Sequence, residues 1–294
     1  MENCYFRFDE ARPFGSAEHF YHFMWGYLLP ASFLALSRKN APAGSLATRY
    51  LFRSCGPLMD ALIRELFHDL GYHFLIDSQE RLDADHGLTV LKVPRWDLWV
   101  DTEWTYQGDT LAVFPNTILP VAGQVFFLRA SLLAKLLMPA TKPHPDIEPA
   151  FLLLKRSQQH DYYRPGGPAE IAGYGTGRRE LRGLEQACNF LNDQGLPCAI
   201  YEPGRYGLRE QVNTFHRCRG VIAMRGAEVA NLVWMRAGSQ VLVINPADIM
   251  HPRPPARVLA SLFNLEYREI DVGVDMQPLL EAHRLLNCLS LTAR

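Results

Sequence analysis

The sequence predicts an α/β fold of two Rossmann-like domains with largely parallel sheets. Short apolar runs alternate with amphipathic segments along most of the chain, which is typical of βαβ units. Residues 138–149 hold four prolines and few apolar side chains, so they predict a linker. We therefore expect one domain at residues 1–140 and a second at residues 150–294.

In the first half, the spacing of apolar side chains predicts three strands and three helices. Runs of four to six residues with apolar clusters predict strands, and apolar positions three and four apart predict helices. The predicted strands are 4–8, 72–76 and 88–93, and the predicted helices are 19–37, 57–70 and 130–137.

In the second half, the same spacing predicts three helices between four strands. The strands are 151–154, 198–201, 220–223 and 240–244, and the helices are 178–192, 208–218 and 227–235. A polar loop rich in Gly, Pro and Tyr is expected at 158–177. Its run GYGTG does not follow a strand directly, so it predicts a loop or a lid rather than a dinucleotide site.

Composition excludes several classes of protein. A net charge of -1, from 30 basic and 31 acidic residues, argues against nucleic acid as a partner. No apolar run approaches the length of about twenty residues that spans a bilayer, so stable membrane insertion is not expected.

The six cysteines form no C-x-x-C pair and the N-terminus does not resemble a signal peptide, which together favour the cytoplasm. Neither a metal cluster nor a cofactor motif is found in the sequence.

Basic residues follow two of the predicted strands in the second half. Lys155 and Arg156 come after the first strand, and Arg225 and Gly226 come between a strand and a predicted helix. Open α/β sheets bind ligands beyond the carboxyl ends of their strands, and helix N-termini favour anions. These positions predict a phosphate site. Alternatively, Glu228 merely stabilises the helix dipole, which by itself explains the turn at Arg225. Arg179 and Arg182, on the next predicted helix, either join this site or are solvated.

Two histidines of the first half, His19 and His22, lie three residues apart in the aromatic segment HFYHFMW. They share one face of the predicted helix, but no third metal ligand stands at helical spacing. Either one acts as a general base near neutral pH, or both are hydrogen-bonded histidines of the core.

Most of the chain resembles glycosyltransferase family 61, which includes plant xylosyl- and arabinosyltransferases and animal O-linked N-acetylglucosaminyltransferases. The family shows a strand ending in a basic pair, a later Arg opening a helix, a Glu after the next strand and a His-Gly-Ala-Gly-Leu-x-Asn turn. The matching residues here are Lys155, Arg156, Arg178, Glu202, Arg225, Gly226, Ala227 and Asn231. The segment FYHFMWGYLLP is similar to the family's histidine helix, and puts His22 on the motif histidine.

Several residues depart from the family's pattern. Arg225 stands where the turn has His, Glu228 where it has its second Gly, and Val243 where the following strand has an acid. Gly26 and Tyr27 stand where some relatives carry an acid before Leu-Leu-Pro.

The resemblance implies a GT-B-like architecture, in which two Rossmann-like domains face each other. It implies acceptor binding at residues 1–140 and donor binding at residues 150–294. It also implies inverting, metal-independent transfer from a nucleotide sugar, commonly a UDP-sugar, to a saccharide hydroxyl, with no cofactor. The residues expected to bind the donor are Lys155, Arg156, Arg178, Glu202, Arg209, Arg225, Gly226, Ala227 and Asn231.

The expected catalytic base is His22, with Glu18 and Asp97 as alternatives. Asp97 lies in the segment WDLWVDTEW, whose tryptophans either stack on sugars or simply pack. Two other functions stay open. One is a non-catalytic nucleotide-sugar-binding or partner-binding protein of the same fold, and the other, disfavoured by the missing glycine fingerprint, is a Rossmann-type oxidoreductase.

Overall fold

The computed structural model describes residues 1–8, 16–39, 47–93, 95–97, 150–164, 166–168, 179–246 and 255–290. Contacts divide the chain into two compact units. Unit 1 comprises Met1–Trp99 and Asp161–Ala172, and unit 2 comprises Val100–His160 and Gly173–Arg294. The predicted helix at 130–137 and the predicted linker lie outside the described residues. In the described part of the chain, no helix is both long enough and apolar enough to cross a membrane.

Unit 1 contains a parallel sheet of four strands in the order β3-β2-β1-β4. Its described strands are β1 (Glu2–Arg7), β2 (Thr48–Arg53), β3 (His73–Asp77) and β4 (Thr89–Lys92). Its described α-helices are α1 (Phe20–Phe23), α2 (Leu29–Lys39), α3 (Pro57–Asp69) and α4 (Gln79–Ala84). This arrangement confirms the prediction of an α/β fold with a parallel sheet in the first half.

The helix predicted at 19–37 is present, but it is not α-helical throughout. A π-helical turn, Met24–Leu28, joins α1 to α2. The turn has a cause in the sequence. Pro30 has no N–H to donate to the carbonyl of Gly26, and a proline ring clashes with the carbonyl four residues earlier. The wider turn is entirely buried, and the Tyr27 hydroxyl donates to the Phe6 carbonyl at 2.9 Å. The turn is thereby fixed against β1.

Unit 2 contains a parallel sheet of five strands in the order β6-β5-β7-β8-β9. The described strands are β5 (Phe151–Leu154), β6 (Cys198–Tyr201), β7 (Gly220–Met224), β8 (Gln240–Asn245) and β9 (Glu266–Asp271). The described α-helices are α5 (Leu184–Asp193), α6 (Leu208–Arg217), α7 (Pro255–Leu262) and α8 (Ala282–Ser290). Helices α5 and α8 cover one face of the sheet through a continuous apolar cluster that includes Ile222, Leu191 and Leu285.

Two segments differ from their predicted form, and several further elements were not predicted. Residues Ala227–Trp234 form a 3-10 helix rather than an α-helix. Helix α5 begins at Leu184 and not at residue 178, because the chain before it is extended and bridges Arg182 to Leu279. The sequence predicts no regular structure after residue 244, so α7, β9 and α8 are additional elements, as are β2 and α4.

The strand orders place a switch point in each unit, where the chain changes the direction in which it adds strands. In unit 1 this point lies between β1 and β4, and in unit 2 it lies between β5 and β7. Open α/β sheets bind ligands in the crevice beyond the carboxyl ends of the two strands at such a point. Functional residues are therefore sought after Arg7 and Lys92 in unit 1, and after Leu154 and Met224 in unit 2.

Candidate functional site

A histidine and an aspartate meet beyond the switch point of unit 1. His22, in α1, follows β1, and Asp97 lies in the chain that follows β4. The His22 Nδ1 atom lies 2.8 Å from Oδ2 of Asp97, although the two residues are 75 positions apart. The Asp97 side chain has no exposed surface, whereas 17% of the His22 side chain is exposed. The histidine is therefore accessible and the carboxylate behind it is not.

Asp97 is held in place by Arg95. The Arg95 guanidinium donates from Nε to Oδ1 at 2.8 Å and from Nη2 to Oδ2 at 2.6 Å, which is a bidentate ion pair. Burial alone would raise the pKa of Asp97, but the hydrogen bonds from Arg95 and His22 and the positive charge of Arg95 outweigh it. The net pKa of Asp97 lies below its usual range, so its carboxylate is ionised at neutral pH.

Glu18, the second alternative for the base, forms a separate ion pair. Its Oε1 atom lies 3.2 Å from Nη2 of Arg53, whose side chain is 7% exposed at the end of β2. Ser16 Oγ also donates to Glu18. Glu18 is thus tied to the strand by Arg53.

In unit 2, the chain after β5 and the chain after β7 are joined by an ion pair. Nε of Arg156 lies 3.0 Å from Oε1 of Glu228, and both side chains are largely buried. Lys155 precedes Arg156 and is half-buried. Nη1 of Arg156 also donates to the carbonyl of Arg179 at 3.3 Å, which brings a third segment to the switch point.

Arg225, the first residue after β7, is almost fully buried. Its Nη1 atom lies 3.3 Å from Oδ1 of Asn245, at the end of β8, and its carbonyl accepts a hydrogen bond from Nη1 of Arg179 at 3.3 Å. Arg156, Arg179 and Arg225 therefore gather at one end of the sheet. Glu228 is the carboxylate paired with this group in the described structure.

The 3-10 helix that follows Gly226 is fixed by Asn231, which has no exposed surface. The Asn231 amide donates to Oε1 of Gln211, in α6, at 3.0 Å and accepts a hydrogen bond from Nε1 of Trp234 at 3.1 Å. Gly226 and Ala227 lie at the start of this helix and are half-buried. Asn231, expected to touch the donor, therefore has both ends of its amide engaged within the protein.

The remaining predicted donor residues lie farther along the same end of the sheet or outside the description. Glu202 follows β6, one strand away from the switch point, and pairs with Nε of Arg205 at 2.9 Å. Arg209 is half-buried in the first turn of α6. Arg178 lies outside the described residues.

A cavity of about 420 Å³ opens at the carboxyl ends of β8 and β9 in unit 2. Ile244 and Ile270 line its apolar part, and Arg182, Asp271 and Arg284 line its polar part. Because Ile244 pairs with Met224 in the neighbouring strand, the cavity adjoins the strand that leads into Arg225. Across the described residues, no group of three or more His, Cys, Asp or Glu side chains is placed to hold a metal ion.

His22 and Asp97 were both predicted from the sequence, but as alternative bases. They are 75 positions apart, so the sequence gives no indication that they are in contact. Arg95 and Arg53, the two buried arginines that hold the carboxylates, were not predicted. The available signal for Arg95 was its position two residues before Asp97 and shortly after a predicted strand. Arg53 gave no comparable signal, since it ends a strand that was not predicted.

Comparison with known proteins adds one match. No curated protein sequence matches this chain. The family model described as Glycosyltransferase 61 matches residues 20–242, most of the chain. The matched region runs from α1 to β8 and contains His22, Asp97, Arg156 and Arg225. The chain therefore belongs to glycosyltransferase family 61.

Proposed function

We propose that this glycosyltransferase transfers a sugar from a nucleotide sugar, in the first place a UDP-sugar, to a saccharide hydroxyl, with inversion and without a metal ion. In this proposal the two units form a GT-B arrangement, with the acceptor on unit 1 and the donor on unit 2. The observation that supports it most is the contact between accessible His22 and buried Asp97 at 2.8 Å. The proposal also includes the cytoplasmic location that the sequence predicts and a role in polysaccharide assembly.

His22 is the proposed base. An ionised carboxylate at Nδ1 requires the proton of the neutral imidazole to sit on Nδ1, so Nε2 carries the lone pair. Nε2 then takes the proton of the acceptor hydroxyl as its oxygen attacks the anomeric carbon. The bond to the nucleoside diphosphate breaks on the opposite side, which inverts the configuration. Asp97 orients the ring and stabilises the imidazolium that forms.

The leaving diphosphate gains negative charge as this bond breaks. Lys155 and Arg156 follow the strand on one side of the switch point of unit 2, and Arg225 and Gly226 follow the strand on the other side. Cations and backbone N–H groups aimed at a developing anion stabilise it without a metal ion. The arginines are held by Glu228, Asn245 and backbone carbonyls, so their orientation is set before the ligand arrives.

The test is transfer by the purified protein, supplied with a panel of nucleotide sugars and saccharide acceptors. We expect His22→Ala to lower the transfer rate by about a hundredfold or more, because the acceptor proton then has no positioned base. His68→Ala is the matched control, since His68 is a histidine of unit 1 whose side chain is 85% exposed. A His22→Ala protein with unchanged turnover would remove His22 as the base.

The same assay tests the remaining parts of the proposal. The anomeric configuration of the product, read by NMR, should be opposite to that of the donor. A chelator should leave the rate unchanged, and a rate abolished by the chelator and restored by a divalent cation would contradict metal independence. Nucleotide binding without turnover on any acceptor would favour a non-catalytic binding protein instead.

A further inference from the structure

Glu228 has one carboxylate oxygen that the ion pair with Arg156 does not use. Oε1 lies 3.0 Å from Nε of Arg156, whereas Oε2 is buried and has no hydrogen-bond partner within the part of the chain that the structure describes. The side chain as a whole is 17% exposed. Glu228 is therefore partly satisfied, and its unused oxygen lies at the switch point of unit 2.

The close approach of Glu228 to the backbone depends on Gly226. A Cβ atom on Gly226 would lie 2.5 Å from Oε2 of Glu228, so any larger residue would push the carboxylate away. The same Cβ would lie 3.6 Å from Cζ of Arg156. The carboxylate thus lies over the turn that ends β7, beside the proposed diphosphate site.

A buried acceptor without a donor destabilises the protein, and a bound ligand can remove this cost by donating a hydrogen bond. Phosphate oxygens cannot do so, because they are acceptors and carry the same charge as the carboxylate. A hydroxyl group can. Oε2 therefore fits a neutral hydrogen-bond donor next to the anion that Arg156 attracts, and hydroxyl groups are the donors that a nucleotide sugar carries on both sides of its diphosphate.

On these grounds, and given the proposed nucleotide-sugar donor, we infer that Glu228 is a specificity-determining residue that accepts a hydrogen bond from a donor hydroxyl through Oε2. Arg156 remains bound to Oε1 through Nε and to the carbonyl of Arg179 through Nη1, and it presents Nη2 to the diphosphate. Glu228 thereby selects donors that carry a hydroxyl near the diphosphate, and it rejects analogues that lack one. Such a site discriminates strongly, because the analogue leaves the buried oxygen unpaired.

Two hydroxyl sources share this chemistry, the ribose and the transferred sugar. The experiment measures dissociation constants of UDP, dideoxy-UDP without ribose hydroxyls, a UDP-sugar donor and inorganic pyrophosphate by calorimetry. The proteins are the wild type, Glu228→Ala, Glu228→Gln and, as matched control, Glu185→Ala. Glu185 is an exposed glutamate of α5 in the same unit.

If the hydroxyl belongs to the ribose, the wild type binds UDP about tenfold or more tightly than dideoxy-UDP, and both Glu228 variants lose this preference. If it belongs to the sugar, both variants lose most of the affinity that the sugar adds to UDP. In either case pyrophosphate binds Glu228→Ala at least as tightly as the wild type, because the competing carboxylate is gone from Arg156.

Equal weakening of all four ligands in both variants would overturn the inference, because Glu228 would then serve only to position Arg156. Unchanged preferences in both variants would overturn it as well. The proposed function fails in a different way. If the folded wild type binds pyrophosphate but neither UDP nor any UDP-sugar, the nucleotide donor itself is wrong, and the inference falls with it.

Discussion

At the scale of single residues, the candidate base is positioned by a buried carboxylate that cannot itself exchange protons with substrate. Asp97 has no exposed surface, and both of its oxygens are bound by Arg95 and His22. Removing one partner of a buried ion pair is costly, about 3–5 kcal/mol, because it leaves an uncompensated charge. Arg95 is therefore as necessary to the geometry as Asp97.

A substitution at Gly26 tests the arrangement of Asp97 and Arg95 without removing any polar group. A Cβ at Gly26 would lie 2.5 Å from Oδ1 of Asp97 and 2.9 Å from Nε of Arg95. We expect Gly26→Ala to destabilise the protein by about 1–3 kcal/mol through overpacking, although alanine normally stabilises a helix by about 1 kcal/mol over glycine. Transfer activity should fall with it, because Asp97 must move away from His22. Urea unfolding and the transfer assay measure the two effects.

Gly87→Ala is the control for this substitution, because its Cβ would meet only an exposed carboxylate oxygen of Asp85, at 3.2 Å. We expect a change in stability within about 0.5 kcal/mol for that variant. A Gly26→Ala protein more stable than the wild type would show that Asp97 and Arg95 can move aside at no cost.

At the scale of elements, the 3-10 helix Ala227–Trp234 shows what apolar spacing cannot predict. Its apolar side chains fit an α-helix equally well, so their spacing does not distinguish the two forms. Asn231 links this segment to Gln211 of α6 and to Trp234 at its own end, with no exposed surface. Asn231 therefore acts on the turn at Gly226 through the position of the whole segment.

We expect Asn231→Ala to lower the free energy of unfolding by about 1–3 kcal/mol, since it leaves buried polar atoms of Gln211 and Trp234 without partners. Gln194→Ala, an exposed amide at the end of α5, is the control and should change stability little. Thermal and urea unfolding give the comparison. Unchanged stability with a lost affinity for UDP would instead assign Asn231 to direct donor contact.

At the scale of the whole molecule, periodicity predicted the strands that are apolar throughout, such as β5 and β7, because burial on both faces leaves an unbroken apolar run. It missed β9, an edge strand in which only Ile270 is buried and four of six residues are charged. The order of the strands within each sheet could not be predicted from the sequence. The switch points follow from that order alone. The sequence therefore identified His22, Asp97, Arg156 and Arg225 as candidates. It did not predict that His22 lies against Asp97, or that Arg156 and Arg225 follow neighbouring strands.

If the donor binds to unit 2, UDP should protect amides of that unit and leave those of unit 1 unchanged. Hydrogen exchange with and without UDP measures this difference. We expect UDP to slow exchange in peptides that cover the ends of β5 and β7 and the turn at Gly226, because their amides lie at the proposed phosphate site. Peptides from α1 and β4 of unit 1 should be unaffected by UDP alone. Arg156→Ala should abolish the protection in unit 2. Protection confined to unit 1 would instead place the nucleotide beside His22 and exchange the donor and acceptor roles of the two units.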